Sequence, residues 1–194
     1  MPEDILDLVT QRAPEDSFLD FKRSVLDPRR PKEKLDEDRD DLVADLVAFA
    51  NAHGGHIIVG VEPDAQERAA GLSPMTGDQA KRIADVMRDL AAAHIKPGIV
   101  QLEIRSLQMD DAGSEWVVVV AIPDSPDKPH MSCFNSQTRF TLRIGNRKRE
   151  MAYDEIQRAF LSGPQQRVAE RFLAEAEAIK SLINDLRSQL QGAR

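Results

Sequence analysis

The stretch AFANAHGGHIIVGVE, residues 48–62, decides how this chain begins to fold. Residues 42–51 carry apolar side chains at the spacing of one helix face, and the glycine pair Gly54-Gly55 that follows is a typical helix stop. Residues 56–61 then form a short apolar run, which predicts a buried β-strand. A helix, a glycine turn and a buried strand are therefore expected in direct succession.

The glycine pair does not have the context of a phosphate-binding loop. Such loops lie between a strand and the N-terminus of a helix, whereas Gly54 and Gly55 lie between a helix and a strand. The motifs GxxxxGK[ST], GxGxxG and HExxH are absent from the sequence. His53 and His56 straddle the turn with no third ligand near in sequence, so a zinc site is not expected there. We expect the glycines to provide a tight turn.

Further helices and strands are predicted on both sides of this stretch. The predicted helices are 2–12, a helix opened by the capping box Thr76–Gln79, and 153–160; the predicted strands are 17–22, 100–104, 116–122 and 139–144. In the last strand, alternation places Phe140, Leu142 and Ile144 inward and Arg139, Thr141 and Arg143 outward. The expected fold class is α+β, with a mixed β-sheet and flanking helices.

Composition excludes several classes of protein. The chain has 194 residues and a net charge of −7, so a uniformly basic nucleic-acid coat is excluded while a local basic patch is not. The longest uncharged apolar run, Trp116 to Ile122, is far shorter than the roughly 20 residues of a membrane-spanning helix. The single cysteine, Cys133, allows no internal disulfide. With no apolar signal core after Met1, a cytoplasmic location is expected.

Two segments differ in character from the rest. Residues 27–41 are densely charged and predict a solvated loop or mobile insert within a domain of residues 1–162. Residues 165–191 carry a heptad stripe of apolar side chains, which predicts a C-terminal coiled-coil helix and a homo-oligomer. The alternative for this second segment is an amphipathic helix packed on its own domain.

The order of motifs across about residues 12–162 resembles the AlbA-like domain of the Schlafen family. Glu15 and Asp20 precede Phe21-Lys22, then come the AFANxxGG block and Gly60-Val61-Glu62, and Arg143-Ile-Gly closes the domain. The resemblance implies an AlbA-like core. It also implies a nucleic-acid-related function, because members are labelled DNA- or ATP-binding domains and several Schlafens are metal-dependent endoribonucleases that cut transfer or ribosomal RNA.

The resemblance further implies a catalytic and metal-binding site. The acidic-x4-acidic motif and the acid after the glycine-valine strand correspond to Glu15, Asp20 and Glu62, which would hold Mg²⁺ or Mn²⁺. Oxygen ligands are those that these hard ions prefer. Asp20 stands where the family has Glu, and Glu62 where it has Asp. In such a site Asp20→Ala would relieve carboxylate repulsion and preserve or raise stability without metal. The alternative is that these are surface carboxylates or salt-bridge partners of Lys22 and Arg23.

A basic strip lies near the end of the predicted domain. It comprises Arg139, Arg143, Arg147, Lys148 and Arg149. These cations, together with Lys22 and Arg23, are the candidate nucleic-acid-binding residues. The alternative is a hairpin edge kept soluble by charge. The predicted function is a divalent-metal endoribonuclease acting on structured RNA such as tRNA. The alternative function is a non-catalytic DNA- or RNA-binding module with a degenerate acidic site.

Overall fold

The computed structural model describes residues 1–161 and Lys180, and its central sheet is built around the apolar strand that follows the glycine pair. The helices are α1 (Pro2–Thr10), α2 (Lys32–Asn51) and α3 (Gly77–His94). The strands are β1 (Leu19–Lys22), β2 (Gly55–Val59), β3 (Val61–Pro63), β4 (Ala69–Leu72), β5 (Ile95–Lys96), β6 (Glu103–Gln108), β7 (Trp116–Ile122), β8 (Met131–Phe134), β9 (Gln137–Arg139), β10 (Thr141–Ile144) and β11 (Arg147–Glu150). Residues 153–161 are also helical.

The central sheet has the strand order β1-β2-β7-β6 and is mixed, as predicted. β1 pairs with β2 in parallel, whereas β7 is antiparallel to both β2 and β6. Smaller sheets, β3-β4, β5-β8-β9 and β10-β11, flank it. The parallel pairing aligns Asp20 with Ile57 and Lys22 with Val59, so both charged side chains lie on the face that α2 covers.

Two apolar clusters cover the two faces of the sheet. Ile57 and Val59 belong to the main core with the apolar sides of α2 and α3. Ile58 points to the other face, where it packs with Phe21, Val61 and Ile5 of α1. Burial on both faces explains why residues 57–59 of β2 are all apolar instead of alternating with polar residues.

Asn51 in the AFAN block joins three parts of the fold. Its Nδ2 donates hydrogen bonds to the backbone oxygens of His130, at 2.8 Å, and Thr141, at 2.9 Å. Its Oδ1 accepts from the backbone N–H of His130 at 2.6 Å. Because Asn51 is buried, these bonds satisfy backbone groups that water does not reach. The side chain thus fastens the end of α2 to β10 and to the start of β8.

The glycine pair is required by close backbone approach as well as by the turn. Gly54 has a φ of +72°, and a Cβ there would lie 2.5 Å from the carbonyl oxygen of Ile122. Gly55 has a φ of +146°, and a Cβ there would meet the Phe49 ring at 2.7 Å. Any larger residue at either position would push β2 away from its neighbours. The glycine pair thus provides the expected turn and also allows close packing around β2.

The charged segment 27–41 is largely helical, which corrects the expectation of a loop or insert. α2 begins at Lys32, ten residues before the predicted start at residue 42, and only 27–31 remain outside it. Ion pairs stabilise this half of the helix, among them Lys34–Glu37 and Asp36–Arg39 at i, i+3 spacing. The segment contains few apolar residues, so hydrophobic periodicity did not predict the helix. Ion pairs within the segment and contacts with later strands stabilise it.

The facing of the predicted strand 139–144 is also corrected. The segment divides into β9 and β10, and in β10 Thr141 and Arg143 are buried while Ile144 is exposed. Thr141 Oγ1 donates to the backbone oxygen of Ala44, and Arg143 lies 4.3 Å from the centroid of the Phe49 ring. Polar partners on α2 and β1 thus reverse the orientation that hydrophobic alternation predicts.

The other predicted elements are found with shifted ends. The Thr76–Gln79 capping box is present at the start of α3, and the predicted strand 100–104 moves to β6. Contacts divide the chain into a unit Met1–Ala152 and a second unit that begins at Tyr153. The predicted coiled-coil helix 165–191, apart from Lys180, lies outside the described residues. In the described part of the chain, no helix is long and apolar enough to cross a membrane.

Replacing Asn51 tests its role as a clamp. Asn51→Ala leaves backbone groups of His130 and Thr141 buried without partners, so we expect the free energy of unfolding to fall by about 3 kcal/mol or more in urea denaturation. His53→Ala, an exposed position in the same motif, is the control and should change it by less than about 0.5 kcal/mol. A loss below about 1 kcal/mol for Asn51→Ala would contradict the clamp.

Candidate functional site

Asp20 and Arg143 form a buried ion pair at the junction of β1 and β10. Arg143 Nη1 lies 3.2 Å from Asp20 Oδ1, and the side chains of Arg143 and Asp20 are 2% and 5% exposed. The guanidinium also donates to the backbone oxygens of Asp16, at 2.9 Å, and Leu19, at 3.0 Å. Its donors are therefore directed at β1 and the residues before it, and the side chain does not present its charge to solvent.

Lys22 lies between two buried carboxylates. Its Nζ is 2.9 Å from Asp20 Oδ2 and 3.2 Å from Asp45 Oδ2. Burial lowers the pKa of Lys22, but the Asp45 and Asp20 carboxylates outweigh burial and raise the pKa above its ordinary value. Lys22 thus stays protonated and its ammonium holds the two carboxylates together.

Lys148 of β11 extends this arrangement to the surface. Its Nζ lies 2.7 Å from Asp45 Oδ1 and 2.7 Å from Asp41 Oδ1. Alternating positive and negative side chains therefore form a row that links β10, β1, α2 and β11. We call this row the charge chain; its members, in order, are Arg143, Asp20, Lys22, Asp45 and Lys148. Since the buried guanidinium of Arg143 has Asp20 as its carboxylate partner in this row, removal of Asp20 would leave a buried charge without compensation.

Glu15 adjoins the charge chain. Its Oε1 accepts a hydrogen bond from the backbone N–H of Phe21 at 3.0 Å. Burial raises the pKa of the Glu15 carboxyl above its ordinary value, and the nearby Asp20 charge adds to this, although the Phe21 hydrogen bond and Lys22 oppose it. A half-buried carboxyl with a raised pKa beside other charges is a feature that functional sites share with structural ion-pair networks.

Glu62 is not part of this cluster. Its side chain is 48% exposed, and its Oε1 lies 3.2 Å from Arg23 Nη1. Among residues 1–161 and Lys180, no three His, Cys, Asp or Glu side chains lie close enough to hold a metal ion. Glu15, Asp20 and Glu62 are therefore not gathered into one such group in this structure, and their role as a divalent-metal site stays a prediction. Two of them instead make the ion pairs of the structural alternative, Asp20 with Lys22 and Glu62 with Arg23.

The cations of the predicted basic strip differ in how far they are buried and in which residues they contact. Arg143 and Lys148 belong to the charge chain, and Arg139 pairs with Asp40 of α2. Arg147 and Arg149 are exposed. On β11 they share a face, because side chains two residues apart point the same way, while Lys148 points to α2. Arg149 also donates to the backbone oxygen of Glu150.

Sequence reasoning missed the aspartates of α2, which contact much of the basic strip. Asp40, Asp41 and Asp45 pair with Arg139 and Lys148 from β-strands about one hundred residues later in the chain. Asp45 did carry a signal, since it is the one charged residue in the otherwise apolar stretch 42–50. Charged residues in the middle of a buried helix need a partner, and here the partners are Lys22 and Lys148.

Comparisons with known proteins identify the family of the domain. The family model described as Schlafen, AlbA_2 matches residues 15–152. Among solved structures, the crystal structure of the DIP2311 protein from Corynebacterium diphtheriae is similar, with a TM-score of 0.50 and 21% sequence identity. The match covers 81% of this chain and 31% of that chain, so this chain spans about a third of that protein. At this identity the likeness shows a shared fold. No curated protein matches.

Because Asp20 belongs to the charge chain and Glu62 does not, we expect substitutions of these two carboxylates to differ sharply in their effect on stability. Asp20→Asn leaves Lys22 and Arg143 with weakened partners in a buried site, so we expect the free energy of unfolding to fall by about 3 kcal/mol. Glu62→Gln removes an exposed pair and should cost less than about 1 kcal/mol. Thermal or urea denaturation without metal measures both. Stabilisation by Asp20→Asn would instead support carboxylate repulsion at that position.

Proposed function

The chain belongs to the Schlafen AlbA_2 family, and on that premise we propose that it binds nucleic acid through the outward face of the β10–β11 hairpin. Membership gives the domain a nucleic-acid-related function. The observation that carries the choice of surface is that Arg147 and Arg149 are exposed on the face of β11 opposite Lys148. These are the cations of the basic strip that the aspartates of α2 leave facing solvent.

Apolar side chains lie beside these arginines. The register pairs Arg147 with Ile144 and Arg149 with Leu142, and directly opposed residues share a face of the ribbon. Ile144 is 55% exposed. An outward face with alternating guanidinium and aliphatic groups supports contacts to phosphates and to sugars or base edges. Two-stranded β-ribbons are an established means of entering the major groove of B-DNA.

The preference for RNA over DNA rests on the family resemblance alone. Neither the hairpin nor the rest of the described chain contains a feature that selects a 2′-hydroxyl. We therefore propose RNA as the favoured partner and DNA as the alternative, and the binding measurement below uses both.

Removing one outward cation tests the binding surface. Arg147→Ala should weaken binding of fluorescent RNA and DNA oligonucleotides and lower the slope of log affinity against log salt by about 0.7–0.9, because one phosphate contact is lost. Fluorescence anisotropy across a salt series measures both quantities. Arg105→Ala, an exposed arginine on β6, removes the same charge elsewhere and should leave the slope unchanged. Equal effects of the two variants would place the binding surface outside the hairpin.

A second candidate function is the metal-dependent endoribonuclease with Glu15, Asp20 and Glu62 and with Mg²⁺ or Mn²⁺. The observation that favours it is the raised pKa of the Glu15 carboxyl beside Asp20. It requires Asp20 to leave Lys22 and Arg143, and Glu62 to leave Arg23. Because the present arrangement pairs these carboxylates with cations, we propose binding without cleavage as the primary function.

Cleavage assays separate the two candidates. Labelled transfer RNA incubated with the wild type should stay equally intact in Mn²⁺, Mg²⁺ or excess chelator if the domain only binds. Glu62→Gln is the informative variant, because Glu62 is exposed and its substitution should leave the domain folded, so that a loss of cleavage reports on chemistry. Cutting that requires metal and disappears in Glu62→Gln would establish the nuclease instead.

A further inference from the structure

A cleft separate from the charge chain and the hairpin face lies between the segment after β1, the first half of α2 and the start of α3. Its volume is about 390 Å³, within the range of pockets that hold one small organic ligand. Residues 23–29 form one wall, and residues of α3 form the other. Hereafter it is called the arginine cleft.

The floor of the arginine cleft is apolar and continuous with the main core. It consists of Val25, Leu26, Met75, Ile83 and Val86, each partly buried and packed against the core cluster. Because these side chains are held by the core, the floor is a preformed surface. A flat apolar ligand that binds to this floor would transfer its apolar surface out of water, which is favourable.

The rim of the cleft is basic, although the protein as a whole has a net charge of −7. Within the described part of the chain, the rim contains one carboxylate, Asp27, and four arginines, which are Arg23, Arg29, Arg39 and Arg82. Arg29 pairs with Asp27, Arg23 with Glu62 and Arg39 with Asp36. Arg82 of α3 is exposed and makes no ion pair with any residue of 1–161.

An apolar floor beneath guanidinium groups on opposite walls matches the chemistry of a nucleotide within a strand. The base contributes a flat, poorly hydrated face, and the phosphates on either side of the sugar contribute the negative charges. A simple fatty acid would present charge at one end only. Among the described residues, no aromatic side chain lines the cleft, so a base would stack on aliphatic side chains and on the planes of the arginine guanidinium groups.

We propose that the arginine cleft binds one unstacked nucleotide of a single strand, with the base on the apolar floor and Arg82 at an adjacent phosphate. The inference rests on the proposed nucleic-acid binding and specifies its substrate class as single-stranded. Bases paired inside a duplex are not free to enter a cleft unless they are flipped out. The hairpin face would then hold the backbone of either form, while the cleft would select unpaired positions.

Two variants on α3 test the cleft with a matched change of charge. Arg82→Glu reverses a rim cation, and Lys81→Glu makes the same reversal at the exposed neighbouring residue, which does not line the cleft. The probes are a fluorescent 12-nucleotide single-stranded RNA, the same strand in a duplex, the same strand with abasic positions, and free UMP. Anisotropy measures the labelled strands, and isothermal titration calorimetry measures the binding of UMP directly.

We expect Arg82→Glu to weaken single-strand binding about tenfold or more while changing duplex binding by less than about twofold. Lys81→Glu should have the smaller effect on both forms. The wild type should bind the abasic strand about tenfold more weakly than the intact strand, because the floor loses its base.

The proposal would be overturned if Arg82→Glu and Lys81→Glu weakened single-strand binding equally. It would also be overturned if the wild type bound the intact and abasic strands with equal affinity. Binding of UMP without binding of any strand would make a free nucleotide the occupant and would also overturn the proposal. If the strands bind with an affinity that depends on Arg147 and not on Arg82, the proposed function stands and the cleft assignment fails. If no strand binds the wild type, both fail together.

Discussion

The buried pair of Asp20 and Arg143 is the interaction on which the arrangement of the domain depends. Arg143 comes from a hairpin at the end of the domain, and its guanidinium contacts the backbone before β1 as well as the Asp20 carboxylate. It also lies over the Phe49 ring of α2. A single side chain therefore connects β10 with β1 and α2. Since breaking a buried pair leaves a charge without compensation, this connection resists local rearrangement.

The rest of the charge chain follows from that pair. Asp20 and Lys22 lie on the sheet face that α2 covers, so α2 must supply a carboxylate in its buried half, and Asp45 is that carboxylate. Lys148 then completes the pairing from β11. As a consequence, much of the basic strip is neutralised inside the domain, and Arg147 and Arg149 remain as its outward cations. The same ion pairs that stabilise the fold thus determine which cations of the basic strip are exposed on the surface that we propose for binding.

Several residues of the family motif other than its acidic residues stabilise the fold. Asn51 fastens α2 to two later segments, Gly54 and Gly55 allow backbone contact that a Cβ would prevent, and Phe49 supports Arg143. Each of these motif positions therefore has a structural reason in this chain. Glu62, whose carboxylate faces solvent and pairs with Arg23, is the motif residue with the least structural role, which makes it the most informative position for separating folding from chemistry.

The sequence by itself determined the α+β class, the helix–glycine–strand core, the capping box of α3 and the family, because these depend on local periodicity and on motif order. It did not determine that residues 32–41 are helical or that Arg143 faces inward. Both depend on partners that are distant in sequence: Arg139 and Lys148 pair with α2 across about one hundred residues, and Asp20 pairs with Arg143 over a similar separation. Local hydrophobic alternation assigns charged residues to the solvent face, and only the tertiary structure brings together the opposite charges that allow them to be buried.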